Sequence, residues 1–375
     1  MKILINGVTL ENANLSPLLY KIKTWQSKGA EIHLLGNAVL DKRIKKINIL
    51  NKKYSFIEIK NTKKIRSNFD LIFEGFKRNF FVLKRLSNFD DFDVVYCISS
   101  VLDLAIFPFF LKLRYKKIKW VSVFDNKVEW RQPGNKITRI LSWIFFQISL
   151  GLLKKSDYVF TVSKKLVNFL IINGFNKKKI VLTGNAVEID LIKKAKKQKK
   201  YQSDALFVGR INKAKGIYDL LEVLKRIKKK LPFFQFSIMG QGDLNTERQY
   251  KKDIKKFNLQ KNIKFLGFKT GLEKYKIIKS SKLFLFLSHN ESFGVALLEA
   301  VCCGLPAIAY NLPVYNKIYK NSEANFFQKA DYDLIAKKVF KLVSGKMQAN
   351  KNGRLLLNNY SLPKIADKEY CFFQK

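Results

Sequence analysis

Two glutamates eight positions apart, Glu291 and Glu299, flank a Ser-Phe-Gly turn. The apolar run before them predicts a buried parallel strand, and the apolar run after Gly294 predicts a helix. Glu291 would then lie in a strand-to-helix loop, and Glu299 in the second turn of the helix. The N–H groups of Phe293, Gly294 and Val295 would be free at the helix start, where an anion binds favourably. The pattern therefore predicts two carboxylates beside an anion site.

This segment resembles the E-x7-E motif of retaining glycosyltransferases of family 4, which have the GT-B fold. The resemblance continues through the Gly-Leu-Pro-Ala-Ile-Ala run that begins at Gly304. It implies that Glu291 binds hydroxyls of the donor sugar and that Glu299 accepts hydrogen bonds from the ribose. It also implies that the amides near Phe293 and Gly294 hold phosphate and sugar. The alternative, from the glutamate spacing alone, is an ordinary βα unit with two exposed carboxylates.

A second segment, from Gly209 to Gly216, follows a predicted strand and opens a predicted helix. It matches the G-R-x-x-x-x-K-G segment of the same transferases. When the glycosidic bond of a nucleotide sugar breaks, negative charge develops on the departing diphosphate. The Arg210 guanidinium and the Lys215 ammonium would stabilise that charge. The alternative is a pair of surface cations, in a chain that has 72 Lys and Arg residues.

Further donor-site candidates follow from the same resemblance. Gly240, in a Gly-x-Gly turn, would lie beside the donor, and this turn lacks the third glycine of a dinucleotide fingerprint. Phe268 would lie beside the nucleobase, and His289 is a candidate to line the site. We expect a UDP- or GDP-linked sugar as donor and no further cofactor. No metal is expected either, because no Asp-x-Asp pair occurs where a metal-dependent nucleotide-sugar enzyme would need it, and GT-B enzymes generally bind the diphosphate without a metal.

The predicted first domain departs from the family pattern at two places. Many relatives have a glycine-rich loop after the first strand, whereas residues 7–12 contain only Gly7. Many also have a histidine after the strand at 121–124, where this chain has Asp125. Asp125 is therefore the best first-domain candidate for a catalytic or acceptor contact. His33 lies in an apolar strand and is interpreted as structural.

The pattern of strands alternating with amphipathic helices predicts parallel sheets with helices on both faces. At 375 residues and 47% apolar composition, the chain suits two domains. The predicted fold class is α/β, of the GT-B type, with two Rossmann-like doubly wound domains that face each other across a cleft. The predicted parts are an acceptor domain (1–190), a lysine-rich linker (191–200) and a nucleotide-sugar domain (201–360). A C-terminal segment (361–375) would cross back to the first domain.

The net charge of +43 is spread over both halves of the chain. Such a charge attracts anionic lipids, polyphosphates or nucleic acid. A basic nucleic-acid-binding protein would show a helix-turn-helix or an RNP-like strand. Neither pattern occurs in the sequence, so we expect no nucleic-acid partner.

Location is predicted from four features. The four cysteines lack zinc-ligand spacing and are interpreted as reduced thiols. The N-terminus lacks the pattern of a signal peptide, so we expect a cytoplasmic protein. The apolar run 140–153 is shorter than the roughly 20 residues that span a bilayer. It favours a buried helix, with a membrane-surface helix as the alternative. Basic residues 112–119 follow aromatic residues 107–110, which suits peripheral attachment of the first domain to the inner membrane face.

Taken together, the resemblance predicts a hexosyltransferase. It would move a hexose from a nucleotide diphosphate sugar to a hydroxyl of a glycan or lipid-linked acceptor, with retention of configuration. Cell-surface polysaccharide or glycolipid synthesis is the expected context. The alternatives are a catalytically silent GT-B scaffold, a basic nucleic-acid-binding protein, and another GT-B enzyme such as an epimerase or a phosphorylase.

Overall fold

A computed structural model gives the fold of the chain. It describes residues 1–50, 54–60, 62–63, 68–128, 136–319, 324–345 and 353–375. The chain divides into two compact units, and the chain passes between them twice. The first unit comprises Met1–Asn185 and Leu362–Lys375, and the second comprises Ala186–Ser361.

Among the described residues, the first unit contains a seven-stranded parallel sheet. Its strands are β1 (Lys2–Asn6), β2 (Glu31–Gly36), β3 (Ser55–Glu58), β4 (Val94–Cys97), β5 (Lys119–Phe124), β6 (Tyr158–Thr161) and β7 (Ile180–Leu182). Their order in the sheet is β3-β2-β1-β4-β5-β6-β7. The order reverses between β1 and β4, and the carboxyl ends of such a pair usually form a ligand site.

Helices connect these strands: α1 (Ser16–Ser27), α2 (Ala38–Ile47), α3 (Asn68–Leu83), α4 (Leu102–Arg114), α5 (Lys136–Leu153) and α6 (Lys164–Ile172). Right-handed crossovers place α3, α4 and α5 on one side of the sheet and α1 on the other. Strand β1 shows why the sheet forms. Ile3, Leu4 and Ile5 are consecutive and fully buried, as expected where helices cover both faces of a parallel sheet.

In the second unit, the described residues form a six-stranded parallel sheet. Its strands are β8 (Ala205–Val208), β9 (Phe236–Met239), β10 (Ile263–Gly267), β11 (Phe284–Phe286), β12 (Ala307–Tyr310) and β13 (Asn325–Phe327), in the order β10-β9-β8-β11-β12-β13. The order reverses between β8 and β11. The arginine-lysine segment follows β8 and the glutamate segment follows β11, so both leave the sheet at this reversal.

The helices of the second unit are α7 (Ile189–Lys194), α8 (Ile217–Lys230), α9 (Leu244–Lys256), α10 (Gly271–Ser280), α11 (Val295–Cys302), α12 (Tyr332–Ser344) and α13 (Gly353–Asn359). Residues 191–200, predicted as a solvated linker, belong to this unit. Ile192 and Ala195 are buried, and Lys279 Nζ donates to the Ala195 carbonyl at 3.0 Å. Two apolar side chains thus anchor this lysine-rich segment, which the sequence pattern predicted as a solvated link.

The last helix, α14 (Leu362–Gln374), belongs to the first unit, where it packs on α1. The Trp25 indole N–H donates to the Ala366 carbonyl at 3.0 Å, and the Trp25 and Phe373 rings meet edge to face at 5.1 Å. Inside this contact, the buried Glu369 carboxylate pairs with Lys21 at 2.6 Å. The C-terminal segment is therefore part of the core of the first unit.

By length and composition, α5 is the one helix in the described part of the chain that could cross a membrane. Its neighbours β5 and β6 pair in parallel, so α5 is the crossover between adjacent strands and packs along the sheet. Phe146, Leu150 and Leu153 are buried, but most of the helix is exposed. The prediction of a buried helix is correct for one face of α5 and wrong for the other.

Candidate active site

The loops after β8 and β11 are in direct contact. The His289 N–H donates to the Ala214 carbonyl at 2.9 Å, and the Ser288 hydroxyl donates to the same carbonyl at 3.3 Å. Gly216 has a φ of +71°, and a Cβ there would lie 1.9 Å from the Leu287 carbonyl oxygen. Only glycine allows this approach of the two backbones. The contact brings the predicted cationic and acidic segments together.

Lys215 and Glu291 form an ion pair at this contact. The Lys215 Nζ lies 2.5 Å from Glu291 Oε1, and their side chains are 19% and 10% exposed. The Asn212 side chain accepts a hydrogen bond from the Lys215 N–H at 3.0 Å and begins a short 3-10 helix at Lys213–Lys215. A partly buried, charge-assisted contact of this kind fixes both side chains. The structure thus places a cation and a carboxylate side by side at the reversal of the sheet.

Arg210 lies at the start of the same loop. Its side chain is exposed, and no hydrogen bond or ion pair joins its guanidinium to another described side chain. The backbone beneath it is held firmly, since the Gly209 N–H donates to the Met239 carbonyl at 3.0 Å and the Ile211 N–H donates to the Gln241 carbonyl at 2.9 Å. The five N–H donors of Arg210 are therefore free for a ligand on a fixed base.

Gly240 is required by packing rather than by side-chain chemistry. Its φ is +150°, and a Cβ there would lie 1.8 Å from the Gly209 carbonyl oxygen. The Gly240 N–H also donates to the Gly267 carbonyl at 2.9 Å. Gly209 and Gly240 thus join the carboxyl ends of β8, β9 and β10. Phe268 follows β10 directly, and its ring is exposed.

Gly294 precedes α11 and caps it in the left-handed conformation, with a φ of +84°. A Cβ at Gly294 would lie 2.7 Å from the ring of Tyr315. Phe293 is buried, and Val295 is the first residue of the helix. Burial, together with the charge of Glu291, raises the pKa of Tyr315 well above its ordinary value, so the phenol stays neutral. The first turn of α11 has N–H groups without helical partners, which can bind an anion.

Glu299 lies in a buried cluster of four polar side chains. Its Oε1 lies 2.6 Å from Lys274 Nζ and 3.1 Å from the Tyr275 hydroxyl. Glu188 Oε2 lies 3.0 Å from the same hydroxyl and 3.4 Å from the same ammonium. One cation and one hydroxyl are thus shared between two carboxylates. Both residues on α10 would hold Glu299 in a fixed position.

The charges of this cluster affect its titration. Burial lowers the pKa of Lys274, but the nearby Glu299 and Glu188 carboxylates raise it by more, so the net pKa is raised. Burial raises the pKa of the Cys303 thiol to about 12, with a further contribution from Glu299. Lys274 is therefore cationic and Cys303 is a neutral thiol at physiological pH.

Lys274, Tyr275 and Glu188 were not among the residues predicted from sequence. A single lysine gives no signal in a chain of this composition. The signal that could have found them is the pair Lys274-Tyr275 on an otherwise apolar inner face of α10, which contains Ile277 and Ile278.

His289 is turned toward Asp219 on α8. Its Nε2 lies 2.8 Å from Asp219 Oδ2, and the hydroxyls of Tyr310 and Tyr332 donate to the same carboxylate at 2.8 and 3.1 Å. Burial and the Asp219 carboxylate raise the pKa of Tyr310. This contact makes His289 an anchor of the loop before Glu291. Its direct role toward a ligand stays a prediction.

Asp125 belongs to the first unit, directly after β5. Its side chain is exposed. The other candidate residues described above belong to the second unit. Its role stays a prediction.

The loop after β1, which lacks the glycine-rich pattern, is held by a buried ion pair. Arg78 donates to both carboxylate oxygens of Glu11, at 2.8 and 2.9 Å, and to the Val8 carbonyl at 2.9 Å. Both side chains are about 1% exposed. Thr9 adds a short hydrogen bond to Asp103 on α4. An ion pair and a hydrogen bond thus fix this loop, at the position where many members of the resembled family have a glycine-rich loop.

Comparison with known proteins gives a family match for most of the second unit. Residues 188–355, just under half of the chain, match the model of the family described as Glycosyl transferases group 1. The chain is 30% identical over 249 residues to an uncharacterized glycosyltransferase of Methanocaldococcus jannaschii. This match covers 62% of this chain and 60% of that protein. It is 28% identical over 194 residues to the capsular polysaccharide biosynthesis glycosyltransferase CapM of Staphylococcus aureus, with 50% and 48% covered. The chain thus spans less than two thirds of the length of both relatives.

Among solved structures, the chain is similar to Anabaena HepE in complex with UDP and glucose. The TM-score is 0.73, the identity is 14%, and both chains are covered completely. At this identity the likeness concerns the fold. The predicted fold of two parallel-sheet, Rossmann-like domains of the GT-B type is therefore confirmed. The predicted resemblance is confirmed at the level of the family Glycosyl transferases group 1, for residues 188–355, while retention and the roles of Glu291 and Glu299 stay predictions.

Proposed function

We propose that this chain is a glycosyltransferase that moves a hexose from a nucleotide diphosphate sugar to an acceptor hydroxyl. The observation that carries the proposal is the contact between Lys215 and Glu291, with the Arg210 guanidinium at the start of the same loop. This arrangement lies at the carboxyl ends of β8 and β11, where the strand order reverses. Ligands of doubly wound sheets bind at such a reversal.

The charges at this contact suit the two ends of the donor. Arg210, Lys215 and the first turn of α11 offer positive charge and N–H donors to the diphosphate. Glu291 accepts hydrogen bonds from hydroxyls of the sugar, and Glu299 accepts them from the ribose. Because Lys215 contacts Glu291, the phosphate and the sugar would be held as neighbours. We expect UDP or GDP as the nucleotide, and UDP is present in the HepE complex.

The reaction requires a balanced transfer of one glycosyl group. The bond between the anomeric carbon and the phosphate oxygen breaks, and a bond forms between that carbon and the acceptor oxygen. We propose that attack occurs on the same face as departure, which retains configuration. The leaving phosphate oxygen then takes the acceptor proton, and Arg210 and Lys215 stabilise the charge that develops on the diphosphate. This route requires neither a metal nor a protein base.

For the acceptor we propose a hydroxyl of a glycan or lipid-linked saccharide, in cell-surface polysaccharide or glycolipid synthesis in the cytoplasm. CapM, a relative of this chain, is described as a capsular polysaccharide biosynthesis glycosyltransferase. The first unit would supply the acceptor contacts, with Asp125 as the candidate side chain. The position of Asp125 directly after β5 supports this assignment, because carboxyl ends of parallel strands form ligand sites.

Nucleotide binding tests the proposal first. The full chain would be titrated by calorimetry with UDP, GDP, ADP and their common sugar conjugates, beside Glu299→Ala and the control Arg114→Ala. We expect one nucleotide to bind selectively. Glu299→Ala should weaken the affinity for that nucleotide at least tenfold, and Arg114→Ala should bind it as the wild type does. With the donor known, NMR of the product would give the anomeric configuration, and an inverted product would contradict retention.

A catalytically silent scaffold is the second candidate. The observation that favours it is the loop after β1, where the buried Glu11–Arg78 pair replaces the glycine-rich loop of relatives. The same titration separates the two candidates. If no nucleotide or sugar nucleotide binds the folded chain, the transferase proposal is refuted and the scaffold is favoured.

A further inference from the structure

Helix α3 has its polar face inside and its aromatic face outside. Glu74, Arg78 and Asn79 are at most 2% exposed. On the opposite face, Phe73 and Phe80 are 64% and 61% exposed, and Phe76 is about half exposed. The three phenylalanines follow the i, i+3, i+7 spacing of one helix face. An ordinary surface helix has the reverse arrangement.

The inner polar contacts prevent this helix from rotating. Arg78 pairs with Glu11 in the loop after β1. The Asn79 amide donates to the Asp103 carbonyl at 2.8 Å and accepts a hydrogen bond from the Phe107 N–H at 3.1 Å. Rotation of α3 to bury its aromatic face would leave these buried groups without partners, which is costly. The phenylalanines are therefore held at the surface by the fold.

Helix α5 extends the same apolar surface. The Phe76 ring on α3 meets the Phe145 ring on α5 at 6.2 Å. Beyond this contact α5 exposes aliphatic side chains at i, i+4, i+7 and i+11, which is again one helix face. We name the combined surface the outer apolar face, and its members are Phe73, Phe76, Phe80, Ile137, Leu141, Ile144 and Ile148.

Cations surround the outer apolar face. The Lys84 ammonium lies 4.5 Å from the centre of the Phe80 ring, and the Arg85 guanidinium lies 4.4 Å from the centre of the Phe81 ring. Helix α5 has no acidic residue, and the carboxylates of Glu74 on α3 and Asp103 on α4 contact inner partners. The remaining acidic residue of α3 is Asp70 in its first turn, which is partly buried. Further exposed or partly exposed cations on or beside the three helices are Lys77, Arg114, Lys116, Lys117, Lys136, Arg139, Lys154 and Lys155.

We propose that the outer apolar face docks on the surface of an anionic lipid membrane. The aromatic and aliphatic side chains would enter the interface between headgroups and acyl chains, while the surrounding lysines and arginines contact lipid phosphates. Charge complementarity favours this occupant, because the face is apolar at its centre and cationic around it. Since α5 connects two paired strands, it lies on the membrane and does not cross it.

The structure also changes which residues would make the contact. The sequence pattern predicted attachment through aromatic residues 107–110 and basic residues 112–119. Phe107 and Pro108 are buried, so α4 contributes mainly its last turn, with Phe110 and Leu113 exposed. The main apolar contribution comes from α3, which the sequence reading did not predict as a helix. The proposal goes beyond the glycosyl transfer proposed above and does not depend on it.

Vesicle flotation of the full chain tests the proposal. The vesicles would be equimolar phosphatidylcholine and phosphatidylglycerol, or phosphatidylcholine alone, at physiological salt. We expect flotation with the anionic vesicles, and a loss of about tenfold or more in partitioning for the double variant Phe73→Ser with Phe80→Ser. The matched control is Ile172→Ser with Phe233→Ser, which removes two exposed apolar side chains elsewhere and should float as the wild type does.

A second variant pair keeps the test independent of α3. Ile137→Ser with Ile144→Ser should also reduce partitioning, and both double variants should keep the wild-type nucleotide affinity and thermal transition. Three outcomes would overturn the proposal. The wild type could fail to float, both variant pairs could float as well as the control, or the wild type could form a dimer that the variants dissociate, which would make the face an interface between copies. Nucleotide binding is measured without vesicles, so a failure here leaves the transferase proposal intact.

Discussion

Replacement of Lys274 by methionine tests the cluster that holds Glu299. The change removes the ammonium while keeping a side chain of similar length in the same place. In the wild type this ammonium lies 2.6 Å from Glu299 and 3.4 Å from Glu188, and the three side chains are 14%, 9% and 7% exposed. The variant would leave two buried carboxylates that share only the Tyr275 hydroxyl.

The expected cost is large because the pair is buried. Removal of one partner of a buried ion pair typically destabilises a protein by about 3–5 kcal/mol, since the remaining charge is left without compensation. A matched control is Lys282→Met, which breaks an ion pair to Asp204 at 2.8 Å whose lysine is 54% exposed. An exposed pair of this kind contributes about 0–1 kcal/mol.

The pH dependence has a definite sign. The pKa of Lys274 is raised in the folded protein, so the stability that it contributes is fully present below the ordinary lysine pKa. That contribution is lost only as the pH rises through the raised value, in the alkaline range. Between neutral and mildly acidic pH the wild-type lysine therefore keeps its charge. The stability difference between variant and wild type should therefore stay constant below the ordinary lysine pKa and shrink as the pH rises through the raised value.

Urea unfolding followed by circular dichroism, at neutral and alkaline pH, measures this difference. Hydrogen exchange of α10 and α11 would locate the loss in the second unit. If Lys274→Met costs no more than Lys282→Met, the cluster does not hold Glu299 by charge. A cost that is large but does not depend on pH would indicate lost packing instead, and the electrostatic reasoning would be wrong.

Two further changes test the rest of the site. Arg210→Ala should reduce kcat/KM by about 30-fold or more, which corresponds to about 2 kcal/mol of transition-state stabilisation. If Arg210→Ala turns over as fast as the control Arg114→Ala, Arg210 does not stabilise the diphosphate. Gly216→Ala should destabilise the second unit by at least about 2–3 kcal/mol in urea unfolding and weaken nucleotide binding, because its Cβ would collide with the Leu287 carbonyl oxygen. The control is Gly267→Ala, where φ is similar at +69° but nothing lies within 4 Å of the added Cβ. It should cost only about 1–2 kcal/mol of stability. Equal losses of stability for both variants would contradict the steric argument.

The sequence predicted the secondary structure around the motifs well where local strand, turn and helix signals agree with the overall fold. The apolar run before Glu291 forms β11, and the helix after Gly294 forms α11, because strand, turn and helix signals coincide there. Lys215 and Glu291 lie 76 positions apart, yet their contact follows from two strands that both end at the reversal of the sheet. The fold class and the position of the main motifs could thus be inferred without the structure.

The sequence could not predict contacts that depend on one side chain among many of its kind. Lys274 is an ordinary lysine until α10 places it between Glu188 and Glu299. Residues 191–200 have the composition of a linker, yet the burial of Ile192 and Ala195 anchors them to the second unit. In both cases the deciding quantity is burial, which a lysine-rich composition obscures.

Helix α3 shows a deeper limit of pattern reading. Its phenylalanines have the spacing that usually marks a buried helix face, so a periodicity argument would place Phe73 and Phe80 in the core. The structure places Arg78 and Glu74 there, because Glu11 in the loop after β1 supplies a partner that an apolar core would lack. A periodic pattern establishes that a helix has two unlike faces, but the partners available in the fold decide which face is inside. The same ion pair that replaces a glycine-rich loop thus also determines which surface α3 presents to its surroundings.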